Sequence, residues 1–86
     1  MSKAIGKMIK KAREEKGLTQ TEVGKALGYQ NGQFVYMIET GVKTPLDVLG
    51  KLIVLLSLNE KQVMETLLSD YIRTAKQTLK QAKASV

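Results

Sequence analysis

An all-α fold of five helices is predicted by three observations on this chain of 86 residues. Apolar residues recur at helical spacing in each segment, Ser, Thr and Asn stand where helices would be capped, and Gly17, Gly28 and Gly41 stand where helices would stop. The length allows one small core, so function has to sit on the surface of one compact unit.

Ser2 is positioned to cap a first helix whose apolar residues Ile5, Met8, Ile9 and Ala12 form one stripe, ended by Gly17. Thr19 opens the second helix, Gln20 to Leu27. Glu22 completes a T-x-x-E capping box, Val23, Ala26 and Leu27 form the expected buried face, and Gly28 marks the end. The third helix is expected from Asn31 as N-cap to about Thr40, with the alternative that Asn31 and Gly32 belong to a longer turn. Thr44 before Pro45 signals a fourth helix from Pro45 to about Leu56. Its apolar residues divide into two faces, Leu46, Leu49, Ile53 and Leu56 against Val48, Leu52 and Leu55. Asn59, with Gln62 three residues on, caps a last helix running to about Ala82, roughly 36 Å long. Residues 1–58 are expected to form the domain core, and residues 59–86 a long helix that first closes that core and then leaves it.

Fourteen Lys and Arg against eight Asp and Glu give a net charge of +6, which suits a polyanionic partner. The absence of Cys and His removes disulfides, thiol nucleophiles and the usual zinc ligands. No paired acids, nucleophile with base or phosphate loop is present, so no enzyme, cofactor, metal or small-molecule ligand is expected. The N-terminus lacks a signal-peptide apolar region and LIVLLSL is too short to span a bilayer. A cytoplasmic protein with no membrane partner is expected.

Two short helices joined by a turn containing Gly28 have the spacing of a DNA-binding helix-turn-helix, with the small Gly24 where the helices cross. Residues 5–56 resemble the helix-turn-helix domain of the lambdoid phage repressors and Cro proteins, the Cro/C1-type or XRE family. The matching runs are IGKMIKKAREEKGLTQTEVGKALG and FVYMIETGVKTP. The resemblance implies a compact lambda-repressor-like fold with a helix-turn-helix in helices two and three. It also implies that Gln20 contacts a backbone phosphate or buttresses the recognition helix, and that Arg13 pairs with Glu39. This chain has eleven steps from Gly28 to Glu39 where the family has ten, so the turn holds one extra residue. Counting back from Glu39 puts Gly32 and Gln33 on the first two recognition positions.

A wheel of about 100° per residue with Val35 and Ile38 inward puts Gln33, Tyr36, Met37 and Thr40 on the outer face, Phe34 beside the core, and Asn31 and Gly32 at the helix entry. Gln33 suits a bidentate contact to adenine, and Tyr36 or Met37 suits a thymine methyl or the edge of the core. Gly32, lacking a side chain, would let backbone amides approach a phosphate or the groove. Phosphate contacts are expected from Lys43, Thr44, the amides opening helices two and four, and Lys25. The lysines of the first helix read equally as a solvated face.

On the last helix Met64, Leu68, Tyr71, Ala75 and Thr78 repeat at helical spacing, with Leu67, Ile72 and Leu79 beside them. Homodimerisation through Met64, Leu68, Tyr71, Ile72, Ala75 and Leu79 is expected; a basic tail or an amphipathic docking helix is the alternative. The chain reads as a sequence-specific regulator of transcription, a small repressor binding double-stranded DNA as a dimer. The alternative is a protein-interaction module of the same fold, antitoxin or coactivator-like, working through Tyr36 and Met37.

Overall fold

The computed structural model describes residues 3–86, and among them finds five helices and no strand: α1 (Lys3–Glu15), α2 (Gln20–Ala26), α3 (Gln33–Glu39), α4 (Leu46–Leu56) and α5 (Glu60–Ala84). Ser2, the expected cap of α1, lies outside the described residues. The fold class is the expected one, and the core is assembled from one apolar stripe per helix. Ile5, Ile9, Val23, Val35, Ile38, Leu52 and Val63 lose essentially all contact with solvent. α1 packs against α3, α4 and α5, while α2 and α3 pack on each other.

Local chemistry sets most boundaries. Thr19 Oγ1 accepts from the Glu22 amide at 3.0 Å and Glu22 Oε1 accepts from the Thr19 amide at 2.8 Å, the reciprocal capping box that starts α2. Asn59 Oδ1 accepts from the Gln62 amide at 2.9 Å at the start of α5. Gly17, Gly28 and Gly41 all have positive φ, the left-handed turn that ends a helix at low steric cost.

Four expectations need correction. Ala26 is exposed, because the inward face of the seven-residue α2 runs through Val23, Gly24 and Leu27. α3 starts at Gln33 rather than after Asn31, which is the longer-turn alternative: Asn31 Oδ1 accepts from the Gln33 amide at 2.9 Å and keeps its own residue in the turn. That longer connection absorbs the extra residue. Pro45 is the cap of α4, not its first helical residue, with an extended ψ of 143°. The two apolar faces expected of α4 merge into one buried stripe of Val48, Leu49, Leu52 and Leu56, which leaves Leu46 at 72 % and Val54 at 82 % exposure.

α5 enters the core only through Val63, which is buried, and Leu67, which packs against it in part. The rest projects. The molecule measures 49 × 26 × 19 Å with a radius of gyration of 14.6 Å, where a compact chain of this length has about 12 Å.

Candidate nucleic-acid interface

Glu39, the last residue of α3, is the centre of a charged network that holds this helix in place. Arg13 of α1 donates from Nε to Glu39 Oε2 at 2.6 Å and from Nη2 to Oε1 at 3.1 Å, a fork-to-fork pair. Its Nη1 donates to the Leu18 carbonyl at 2.8 Å, and Gln20 Nε2 of α2 donates to Glu39 Oε1 at 3.0 Å. The side chains of Arg13 and Glu39 are only 10 % and 2 % exposed. The hydrogen bond to Glu39 raises the Arg13 pKa above its ordinary value, against the opposing effect of burial. Three helices therefore meet on one carboxylate, and Arg13 also ties down the segment before α2. Gln20 buttresses α3 through one N–H and keeps a second for the solvent side.

Backbone contact completes the frame. A Cβ on Gly32 would lie 2.7 Å from the Thr21 nitrogen and 2.8 Å from the Gln20 carbonyl carbon, and one on Gly24 would collide with the Asn31 carbonyl oxygen. Gly24 is small because the connecting turn passes against it, rather than because α2 and α3 cross there as expected. The hydrogen of Gly32 is what lets the start of α3 rest against the start of α2, a packing reason that the sequence did not show.

These constraints aim one face of α3 at solvent. Gln33, Tyr36, Met37 and Thr40 are exposed, Tyr36 at 52 % and Met37 at 38 %. Thr40 Oγ1 donates to the Met37 carbonyl at 2.9 Å, so its proton is engaged. Gln20, Thr21, Asn31, Gly32, Gln33 and Tyr36 together line a shallow concavity of about 410 Å³ at the paired entries of α2 and α3. Thr21 was not among the residues expected there; its exposed place in the first turn after a Thr-x-x-Glu cap was the available signal. Phe34 stacks on Tyr29 with ring centroids 4.7 Å apart, which stiffens the turn beside the concavity.

The remaining site residues are divided. Lys25 and Lys43 are exposed, but Thr44 is buried at 5 % exposure and its hydroxyl has no hydrogen-bond partner among the described residues. A hydroxyl buried in this way is not presented to a phosphate, so the expected Thr44 contact does not come from its side chain. Lys43 sits away from the concavity, at a groove between Leu46 and α5. On α5 itself Met64, Leu68, Tyr71, Ile72 and Leu79 are exposed and Ala75 half-buried. No helix among the described residues is long and apolar enough to cross a membrane, and no group of three or more acidic residues is placed to hold a metal ion.

Compared with known protein families, the chain matches the family model described as Helix-turn-helix over residues 9–60, from the middle of α1 to the first residue of α5. No curated protein and no solved structure matches it.

Proposed function

We propose, from the premise that this chain belongs to the Cro/C1-type helix-turn-helix (XRE) family, how it works as a DNA-binding regulator. It acts as a small cytoplasmic repressor that occupies an operator as a homodimer, each copy laying α3 in a major groove. One observation carries this reading. The exposed face of α3 is polar at its entry, free of acids, and anchored at its far end by the Arg13–Glu39–Gln20 network. A reading helix needs that combination, because base contacts tolerate little misplacement and carboxylates facing DNA are repelled by it.

In this reading Gln33 contacts an adenine edge, Met37 packs on a thymine methyl, and Tyr36 packs on a thymine methyl or donates its phenolic O–H to a phosphate. Asn31 and Thr40 flank the groove at the two ends of the helix. The amides at the start of α2, the second N–H of Gln20 and the Thr21 hydroxyl converge on one phosphate, with Lys25 and Lys43 reaching others. Guanine readout by arginine is not expected, since α3 has no arginine.

Affinity for random and selected duplexes across salt tests this. Several phosphate contacts give a linear fall of log K with log salt, of slope about −0.9 per contact. A slope near zero sinks the reading and favours the protein-interaction alternative, for which the exposed Tyr36 and Met37 are the natural surface.

A further inference from the structure

Charge is distributed unevenly along α5. From Glu60 to Tyr71 the helix has three acids, Glu60, Glu65 and Asp70, and one lysine, a net −2; from Ile72 to Ala84 it has four cations and no acid, a net +4. Along the same helix Met64, Leu68, Ile72, Ala75 and Leu79 recur at spacings of 4, 4, 3 and 4, which makes one stripe. Near the domain this stripe borders the groove of about 570 Å³ closed by Leu46 and Lys43. The stripe is exposed apart from the half-buried Ala75.

Resting on the homodimer reading above, we propose that the α5 helices of two copies pair antiparallel along this stripe, about a twofold axis between Tyr71 and Ile72. Reversal about that point sets Met64 opposite Leu79 and Leu68 opposite Ala75, apolar on apolar throughout. It also lays the −2 half of each helix along the +4 half of the other. Glu65 and Lys76 are eleven residues apart, about three turns, and so share one flank of the stripe. The reversed pair brings them within reach of each other twice. A parallel pair does the opposite, holding each cation of the distal half beside its own copy, and like charges at such spacing repel. The antiparallel pair also separates the two domains, because the Val63 anchors end about 25 Å apart along the shared axis at 1.5 Å per residue. The twofold axis makes the interface isologous, so the operator it fits is an inverted repeat.

The chain has no cysteine, so introduced thiols report on the pairing alone. Met64→Cys and Leu79→Cys, both at exposed positions, are prepared as full-length proteins, checked by circular dichroism, and oxidised separately and as an equimolar mixture at tens of micromolar. The mixture is expected to form a disulfide-linked heterodimer about tenfold faster than either variant crosslinks with itself, because only the mixed pair is held at high effective concentration. The dimer dissociation constant of the unmodified protein is expected to rise with salt. Faster self-crosslinking of Met64→Cys overturns the antiparallel arrangement and leaves the dimer standing. An unmodified chain that stays monomeric in sedimentation equilibrium at the same concentration overturns the dimer reading itself, and assigns the stripe to a different partner.

Discussion

Removing one side chain from the Glu39 network strands the others. A carboxylate this deep is tolerated only while its oxygens are hydrogen-bonded, and Arg13 supplies two of its three bonds. Arg13→Ala is expected to lower unfolding stability by about 3 kcal/mol in denaturant titration, since it leaves Glu39 buried with a single amide partner. A change within a few tenths would make the pair decorative, as exposed pairs are. Gly32 is governed by a different force. Its neighbours are backbone atoms of α2, which cannot swing aside, so Gly32→Ala is expected to cost about 1–3 kcal/mol of stability, with DNA affinity falling as a consequence of the displaced α3. Gln33→Ala touches no packing, and should leave stability unchanged while relaxing selection at one base pair by about 1–3 kcal/mol.

The helices differ in how much of their placement is local. α2 is short and exposed at its entry, so its cap carries weight: Thr19→Ala is expected to lower stability by about 1 kcal/mol. Hydrogen bonds from the Thr19 backbone and side chain hold the Glu22 pKa below its ordinary value. A depressed carboxylate pKa adds stability above the unfolded-state value, and that contribution disappears as pH falls through the folded-state value. The penalty of Thr19→Ala should therefore shrink below the ordinary carboxylate range, measurable as unfolding midpoints at pH 7 and pH 3. α4 ends on Ser57 in the left-handed region at φ 54°, and Ser57→Gly is expected to gain about 1 kcal/mol there. Such features as the Thr19 box, the Asn59 cap and the glycines after the first three helices were legible in the sequence because a cap and its partner lie within four residues. The inward stripe of α4, the exposure of Ala26 and the burial of Thr44 were not, because contacts with helices far off in the chain decide them. The same division runs through the candidate site. The outer face of α3 follows from its own periodicity, whereas the reason for Gly32 lies in the backbone of Gln20 and Thr21.

For the whole molecule the decisive proportion is between a core gathered near α1 and a helix that outruns it. Among the described residues α5 joins the apolar core through Val63 and Leu67 alone, so the last turns contribute little to the stability of one copy. Truncation after Tyr71 is expected to shift the thermal midpoint of the monomeric domain by only a few degrees while removing self-association, as seen by sedimentation. Basic charge goes with it, so the truncated protein should also show a shallower dependence of DNA affinity on salt. The projecting helix has one more consequence, for survival of the chain. An isolated segment of this length is marginal as a helix in water, and it presents Arg73, Lys76, Lys80 and Lys83 as cleavage points for a trypsin-like protease. Pairing would shield them, so the lifetime of the tail should lengthen as the protein accumulates, and limited digestion at increasing concentration would show its half-life rising along the dimerisation curve.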